Sequence, residues 1–353
     1  MVRGEFVSSR ENVLTINRYW LMAERPKGTD FDGALSLREG KLGDLQDGEI
    51  LIENGYLSMD AGTRMWMNAR EDSYQPPTPV NSPVQGMVIG KVKSSRHPDY
   101  RDGDLVRAYG QWADYSIASP ETTYVARVSW LLSDLREYLA VFGPNGWTAY
   151  LGITEYGGAK AGETVLISAA AGATGMLAGQ IAKQVGARVV GTAGSDEKCR
   201  WLTRDLGFDA AINYKTQNVG DALASACPDG INLYFDNVGG RLLDEALAHM
   251  ALFGRIAVCG LIDNYDKEKP VPGPYKYDLV LMKRLKIFGF FSPDFYHRGP
   301  ELNKTMSSWY ENGNVRMHFD MVEGLESTVE AYRKLFIGAN MGKSLVKLAD
   351  LTP

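Results

Sequence analysis

The sequence predicts an α/β fold: a doubly wound parallel sheet accompanied by a smaller, β-rich domain. Three observations predict it. Residues 1–132 are rich in strand patterns, strands alternate with helices across 133–304, and at Val165–Gly175 an apolar strand passes through a glycine turn into a helix. Alternating strands and helices with short loops are typical of a parallel sheet with helices on both faces. The chain of 353 residues is longer than one core usually holds, so two domains are expected.

The β-rich region is expected to form a small, curved antiparallel barrel. Its strand patterns are short and are separated by turn residues. The predicted strands are Glu49–Glu53, Val84–Val92, Asp102–Val106 and Gln111–Ile117. Gln75–Pro83 contains four prolines and is therefore predicted to be a loop.

The alternating region carries predominantly apolar strands, as expected for a sheet that is covered on both faces. The predicted strands are Thr164–Ala169, Arg188–Ala193, Ala210–Ile212, Asn232–Asp236, Arg255–Gly260 and Lys286–Phe291. In the helix that follows the first strand, Leu177, Ile181 and Val185 recur every four residues. This spacing places an apolar stripe on one helix face.

The end of the chain differs from the alternating region. An amphipathic helix is predicted around Ser327–Phe336, followed by a last strand at Ser344–Leu348. The patterns therefore separate three zones, residues 1–132, 133–304 and 305–353.

Composition and residue spacing argue against several classes of protein. A net charge of −5 without basic runs does not suit a nucleic-acid surface. The opening residues, MVRGEFVSSRENVLTINR, lack the apolar segment of a secretory signal, and the uncharged stretch Thr164–Ala182 is too rich in glycine and polar residues for a membrane span. Cys199, Cys227 and Cys259 form no C-x-x-C pair, and the four histidines are scattered. We expect a cytoplasmic protein whose chemistry comes from a bound cofactor or from residues other than cysteine and histidine.

The glycine turn favours a bound pyrophosphate. Its spacing, Ala170-x-Gly172-x-x-Gly175, lacks the first glycine of the dinucleotide-binding pattern. Small residues at this turn let backbone N–H groups approach phosphate oxygens at a helix N-terminus, where the helix dipole favours negative charge. Ordinary strand–helix turns share this spacing, so the interpretation depends on the rest of the chain.

The tip of the following strand distinguishes NAD from NADP. A carboxylate there usually binds the ribose hydroxyls of NAD. Here the strand ends at Gly194 and Ser195, and Lys198 follows, where it can meet a 2′-phosphate through a bond of about 1.5–3 kcal/mol. Asp196 is an alternative ribose ligand, although the first helical turn by itself favours a carboxylate. A solvated surface position is the other interpretation of Lys198.

Several motifs together make a family resemblance specific. They are AAAGATG at 169–175, GSDEK at 194–198, NYK at 213–215, FDNVGG at 235–240, GRIAVCG at 254–260 and GANMGKSLVKL at 338–348. The chain resembles, nearly end to end, the zinc-independent medium-chain dehydrogenases/reductases, and within them the prostaglandin reductase, leukotriene B4 dehydrogenase and curcumin reductase group. The resemblance implies a Rossmann domain formed by residues 133–304 and a GroES-like barrel domain formed by residues 1–132 and 305–353 together. It also implies NADPH as cofactor, an unsaturated carbonyl substrate, no catalytic metal and a homodimer.

The resemblance also implies which residues contact the cofactor. The turn over the pyrophosphate would consist of Ala173, Thr174, Gly175 and Met176. The 2′-phosphate would be bordered by Gly194, Ser195, Lys198 and Tyr214. The ribose and nicotinamide would be bordered by Asn237, Cys259, Gly260, Leu261, Phe290, Phe291, Ser292 and, from the other domain, Asn340. Core packing is the alternative interpretation of Tyr214 and Phe291, and a turn position is that of Asn237. Cys259 is expected to be a small buried residue whose backbone the family uses.

An enone reductase also needs a donor to the substrate oxygen. Hydride addition at the β-carbon develops negative charge on the carbonyl oxygen, which a hydrogen-bond donor stabilises. Tyr265 follows the fifth strand at the carboxyl edge of the predicted sheet, where ligands bind. The resemblance places a substrate-contacting, catalytic tyrosine at this position. A surface loop tyrosine is the alternative, and a ribose hydroxyl of the cofactor is a candidate for sharing the role.

One motif departs from the family. Many relatives carry D-P-Y-M-R with a second active-site tyrosine, whereas this chain has Asp60-Ala61-Gly62-Thr63-Arg64. We hypothesise that Gly62 opens space for a bulky or aromatic substrate, with the following Met65, Trp66 and Met67 either lining an apolar pocket or packing in the core. A quinone or carbonyl reductase on the same scaffold, and a non-catalytic NADPH-binding protein, are the alternative functions.

Overall fold

The computed structural model describes residues 16–71, 73, 75–129, 131–267 and 271–352. The prediction that the opening residues are not a secretory signal concerns mainly residues 1–15, which lie outside the described residues. Among the described residues, none of the helices has the length and apolar character needed to cross a membrane.

The first part of the chain forms a β-rich unit. Its strands are β1 (Ile16–Met22), β2 (Leu35–Lys41), β3 (Ile50–Ser58), β4 (Ser82–Pro83), β5 (Gln85–Ser95), β6 (Leu105–Gln111), β7 (Tyr115–Ala118) and β8 (Val125–Arg127), with a short helix α1 (Thr63–Trp66) after β3. β3 pairs antiparallel with β5 and β7, β5 with β6, and β6 with β8. β1 pairs antiparallel with β2 and β4. The predicted antiparallel, β-rich architecture is confirmed.

Two details of this unit differ from the predictions. The predicted strand Gln111–Ile117 is divided, because β6 ends at Gln111 and β7 begins only at Tyr115. The predicted proline-rich loop ends in β4, where Ser82 and Pro83 pair with β1. Proline lacks a backbone N–H, and it is tolerated in this position because β4 lies at the edge of its sheet.

The second part of the chain forms the predicted parallel sheet. Its strands are β9 (Thr164–Ile167), β10 (Arg188–Ala193), β11 (Ala210–Asn213), β12 (Ile231–Asp236), β13 (Met250–Val258) and β14 (Lys286–Gly289). They pair in parallel in the order β11-β10-β9-β12-β13-β14. This order confirms the doubly wound fold, because the chain leaves β9 first to one side and then to the other.

Helices cover the faces of this sheet. They are α2 (Pro144–Tyr150), α3 (Ala173–Gln184), α4 (Asp196–Asp205), α5 (Val219–Ala226), α6 (Gly240–His249), α7 (Asp278–Met282) and α8 (Gly299–Glu311). The predicted apolar stripe of α3 is confirmed, since Leu177 and Ile181 are fully buried. β9 is shorter than predicted because Ala169, with φ of +47°, already belongs to the turn before α3.

The end of the chain returns to the β-rich unit. β15 (Phe319–Glu323) pairs in parallel with β16 (Lys343–Lys347), which pairs antiparallel with β3. Between them, α9 (Thr328–Ile337) buries Tyr332 against the rings of Phe31 and Trp112. The predicted helix and last strand are confirmed to within one residue at each end, while β15 was not predicted.

The predicted domain boundary at residue 304 falls inside α8. Leu302 and Met306 of this helix are buried in the same core as Trp147 and the helices of the parallel sheet, and Met317 still packs against that core. Phe319, by contrast, begins the strand that pairs with β16. We therefore propose that the parallel-sheet unit continues to about Met317.

The connection between the two units buries a carboxyl group. Glu137 lies in the short 3₁₀ helix Leu135–Leu139 and is 4% exposed. Within the described residues its Oε2 atom has no hydrogen-bond partner. Burial, and to a smaller extent the nearby carboxylate of Asp134, raise the pKa of Glu137 to about 7.

This raised pKa predicts how stability changes with pH. Between the ordinary value of 4.5 and about 7 the folded chain binds a proton at Glu137 that the unfolded chain lacks, so the free energy of unfolding falls as pH rises through this window. Glu137→Gln removes this dependence on pH and is expected to raise the free energy of unfolding at about pH 8 by up to about 3 kcal/mol. Urea unfolding at about pH 5 and about pH 8 measures the free energy of unfolding of each protein. Glu311→Gln, at an exposed position, is the control. If the free energy of unfolding changed equally with pH in wild type and Glu137→Gln, the raised pKa of Glu137 would be contradicted.

Candidate active site between the two units

The turn between β9 and α3 exposes a helix N-terminus. Gly172 is the N-cap and supplies no side-chain hydrogen bond, so the first N–H groups of α3 are available to an anion. A Cβ atom at Gly175 would lie 2.4 Å from the carbonyl oxygen of Ala169. The close turn therefore requires glycine, as the dinucleotide-binding interpretation predicts.

Two clefts meet at this turn. One, of about 650 Å³, extends over the tips of β10 and β11 and is lined in part by Gly172, Gly194, Lys198, Tyr214 and Asn340. The other, of about 310 Å³, lies between the units. Predicted residues that line it are Ala173, Thr174, Gly175, Asn237, Cys259, Gly260, Tyr265, Phe290, Phe291, Ser292 and Asn340. Most of the predicted site residues are thus brought together.

Three predicted residues do not line either cleft. Met176 has a fully buried side chain, and its N–H donates to the carbonyl of Gly172, so its position does not support the predicted contact. Ser195 is the N-cap of α4, where its Oγ accepts from the N–H of Lys198 at 3.2 Å. Leu261 contributes its backbone N–H to a neighbouring tyrosine. Ser195 and Leu261 therefore support the site rather than line it.

Lys198 crosses from one unit to the other. Its Nζ donates to the carbonyl oxygens of Gly338 at 2.8 Å and Asn340 at 2.5 Å. Burial, and then the positive charge of Lys215, lower the pKa of Lys198. Among the described residues neither lysine forms an ion pair, so the cleft holds two neighbouring cations that an anion would stabilise. The donor set fits a phosphate.

Lys215 was not predicted as a site residue, although it is part of the NYK motif. A Cβ atom added at Gly194 would lie 3.0 Å from the Tyr214 hydroxyl and 3.2 Å from Cε of Lys215. Glycine therefore keeps open the space that these two side chains border. Tyr214 is 42% exposed and is not a core aromatic. Asp196 lies in the first turn of α4 and accepts from Nδ2 of Asn213 at 2.7 Å, which confirms its interpretation as a helix-terminal carboxylate.

A buried polar cluster holds the end of β12. Asp236 accepts at Oδ1 from the Tyr234 hydroxyl at 2.7 Å and from the N–H groups of Val238 and Gly239 at 2.9 Å each. Burial raises the pKa of Asp236. Ser168 binds Asn237 twice, through its Oγ at 2.8 Å and its carbonyl oxygen at 2.7 Å. The predicted residue Asn237 is therefore fixed by neighbours that were not predicted.

The hydroxyl of Tyr265 is held inside the interdomain cleft. It accepts a hydrogen bond from the N–H of Leu261 at 3.0 Å, which leaves its own proton for another acceptor. A Cβ atom at Gly260 would lie 2.9 Å from this hydroxyl, so glycine permits its approach. Burial raises the pKa of Tyr265 to about 12, and the group remains protonated at neutral pH. The surface-loop interpretation is wrong.

The opposite wall of this cleft comes from the β-rich unit. Gly62, Met65 and Trp66 line it, whereas Met67 is fully buried in the core of that unit. Two residues of the predicted Met/Trp cluster therefore line the pocket, and the third packs in the core.

Tyr296, which was not predicted, also lines the cleft. Tyr109 and Ser292 hydrogen-bond to its hydroxyl, and burial raises the pKa of Tyr296 to about 12.

Cys259 behaves as a small apolar residue. Burial raises the pKa of its thiol to about 12, and its backbone N–H donates to the carbonyl of Asp236 at 2.9 Å. Over the described part of the chain, no group of three or more His, Cys, Asp or Glu residues is arranged to hold a metal ion.

Comparison with known proteins agrees with this geometry. Residues 18–125 match the family described as the N-terminal domain of oxidoreductase, and residues 173–308 match the family described as zinc-binding dehydrogenase. The NADPH-dependent curcumin reductase of Escherichia coli is 36% identical over 343 residues, which cover 94% of this chain and 97% of the relative. The NADP⁺-dependent 2-alkenal reductase of Nicotiana tabacum is 40% identical over 302 residues, covering 85% and 88% of the two chains.

A solved structure extends the similarity to three dimensions. The crystal structure of CurA from Vibrio vulnificus in complex with NADPH superposes with a TM-score of 0.88 at 33% identity. The match covers 95% of this chain and 100% of the CurA chain.

Proposed function

Because this chain belongs to the medium-chain dehydrogenase/reductase family, in the group of curcumin, 2-alkenal and prostaglandin reductases, we propose that it reduces the C=C bond of α,β-unsaturated ketones and aldehydes with NADPH. One observation carries the proposal. The exposed N-terminus of α3 and a tyrosine hydroxyl with an available proton line the same interdomain cleft. A dinucleotide site and a donor to a carbonyl oxygen are the two requirements of this reaction.

The cofactor residues follow from the two clefts. We assign the pyrophosphate to the N–H groups of Ala173, Thr174 and Gly175, where the dipole of α3 favours negative charge. The 2′-phosphate is assigned to Lys198 and Lys215. Within the described residues neither lysine forms an ion pair, although the charges of Asp320 and Glu197 act on Lys198. The ribose and nicotinamide side is assigned to Asn237, Cys259, Gly260, Phe290, Phe291, Ser292 and Asn340.

The reaction requires stabilisation of an enolate. NADPH, when bound, supplies the hydride that adds to the β-carbon. Electron density then moves to the carbonyl oxygen. Tyr265 donates a hydrogen bond to this oxygen and remains a neutral hydroxyl, because its bond with the N–H of Leu261 leaves its own proton available. The enolate collapses as the α-carbon takes up a proton from water, and the product is the saturated carbonyl compound. Because a neutral hydroxyl performs the stabilising role, we propose that no zinc ion takes part.

We also propose an oligomeric state and a cellular location for this protein. The outermost strand β14 and the nearby segments expose apolar side chains, among them Phe253, Leu281 and Met282, with Leu281 73% exposed. Such a surface favours association, and we propose a homodimer that uses it; sedimentation velocity measures the mass in solution. Cys199, Cys227 and Cys259 are free thiols, which suits a reducing cytoplasm.

A screen of NADPH oxidation tests the proposed activity. The purified protein is assayed with enals, aryl enones, quinones and aldehydes, and the products are identified by mass. We expect saturated ketones and aldehydes. Formation of hydroquinones or alcohols alone would instead favour the quinone or carbonyl reductase. Tight NADPH binding without oxidation by any of these acceptors would favour the non-catalytic binding protein.

Gly62 predicts a preference for bulky substrates. It lines the cleft and has φ of −58°, an ordinary helical value, so a side chain can replace its hydrogen without backbone strain. Gly62→Tyr is expected to lower kcat/KM for an aryl enone by about tenfold to hundredfold, because the ring occupies pocket volume. A small enal, measured in parallel, should lose much less. A wild-type enzyme that strongly prefers the small enal would contradict the hypothesis.

A further inference from the structure

Three consecutive residues contact both walls of the active-site cleft. We call Gly342–Ser344 the tether. On the cofactor side, the N–H of Gly342 donates to the carbonyl of Ala171 in the glycine turn at 2.7 Å. On the substrate side, the carbonyl of Ser344 accepts from the N–H of Met59 at 3.1 Å. The tether therefore joins the two halves of the site through the backbone.

The side chain of Lys343 adds a charged contact to the substrate side. Its Nζ lies 2.6 Å from Oδ1 of Asp60, and the lysine is only 1% exposed. The hydroxyl of Ser58 donates to the second carboxylate oxygen of Asp60. Because both oxygens of Asp60 accept hydrogen bonds, its carboxylate is held in one orientation and fixes the loop Met59–Gly62.

The path of the tether leaves little room for adjustment. Gly342 has φ of +70°, and a Cβ atom there would lie 2.1 Å from the carbonyl oxygen of His318. That same carbonyl accepts from the N–H of Lys343 at 2.8 Å. A displacement of the glycine turn is therefore transmitted to Lys343 rather than absorbed by the tether.

We propose that Lys343 is a positioning residue that couples cofactor binding to the shape of the enone pocket. Ala171 holds the tether, Lys343 holds Asp60, and Asp60 holds the loop that carries Gly62. Cofactor seated on the glycine turn thus fixes the substrate loop. This inference rests on the proposed enone reductase function.

Calorimetry with a product analogue tests the coupling. The binding of benzylacetone, the saturated product of the aryl enone benzylideneacetone, is measured with and without saturating NADP⁺. Direct contact between cofactor and ketone contributes equally in wild type and variant, so the difference between them reports the tether. We expect Lys343→Met to reduce the enhancement by NADP⁺ at least about fivefold. The affinity for NADP⁺ alone should change by less than about twofold, because the glycine turn is intact.

A matched control separates coupling from a general loss of charge. Lys183 pairs with Asp209 at 2.8 Å outside both clefts, and Lys183→Met should leave the enhancement unchanged. If Lys343→Met does not fold, as judged by its thermal transition, Asp60→Ala removes the same contact from the less buried partner and should lose the same coupling. Asp60→Asn, which retains an acceptor for Lys343, should regain part of it.

The outcomes distinguish this inference from the function on which it rests. A wild type that reduces benzylideneacetone, together with full enhancement in Lys343→Met or Asp60→Ala, would overturn the positioning role alone. A wild type that neither reduces benzylideneacetone nor binds benzylacetone would overturn the proposed function, and the inference with it.

Discussion

Tyr265→Phe is expected to lower kcat for an aryl enone by about a hundredfold while changing KM by less than about threefold. The substitution removes one hydroxyl from the cleft. That hydroxyl accepts from the N–H of Leu261 and, in the proposed mechanism, donates to the substrate oxygen. This donated bond strengthens as the enolate forms, so its loss raises the barrier more than it weakens substrate binding. Steady-state kinetics under saturating NADPH measures both constants.

The controls for Tyr265 use both a second tyrosine and pH. Tyr275→Phe changes an exposed tyrosine, 82% accessible, and should have wild-type kinetics. Because burial raises the pKa of Tyr265 to about 12, its hydroxyl stays protonated and should impose no transition on kcat between about pH 6 and about pH 9. Wild-type turnover by Tyr265→Phe would mean that another donor, such as Tyr296 or a ribose hydroxyl of the cofactor, stabilises the enolate.

Lys198→Ala is expected to weaken NADPH binding by about tenfold to hundredfold and to leave NADH binding nearly unchanged. In the proposed assignment this lysine gives the 2′-phosphate a charge-assisted bond, and NADH has no phosphate at that position. Its additional bonds to the carbonyls of Gly338 and Asn340 hold the two units together, so an effect on NADH binding would report that second role. Fluorescence titration with each cofactor measures the two affinities.

The proposed assignment of Lys198 to the 2′-phosphate also predicts a pH dependence. Burial and the charge of Lys215 lower its pKa, so the ammonium group loses its proton at a less alkaline pH than an ordinary lysine. The affinity ratio of NADPH to NADH should therefore decline as pH rises into the alkaline range. Lys304→Ala, at an exposed position on α8, is the control. Equal losses for NADPH and NADH in Lys198→Ala would refute the phosphate assignment.

The fold could be predicted largely from local patterns. Apolar strands, the small-residue turn and the stripe Leu177–Ile181 depend on residues close together in the sequence, and their burial follows from that spacing. Boundaries were less accurate where packing decides them. The predicted end of the second domain at residue 304 cut through α8, because Leu302 and Met306 are assigned to a core by tertiary contact and not by any local signal.

The sequence by itself determined the doubly wound sheet, the dinucleotide turn and the chemical types of the principal site residues, since each depends on a short motif. Tertiary structure alone decided how they are held. Lys198 reaches carbonyls about 140 residues away, and Lys343 pairs with an aspartate 283 residues earlier. Likewise, we assign Lys215, Ser168 and Asp236 to the site only because of the residues that they contact in the folded chain. Contacts between distant segments depend on how complete elements pack, and no local pattern in the chain encodes that packing.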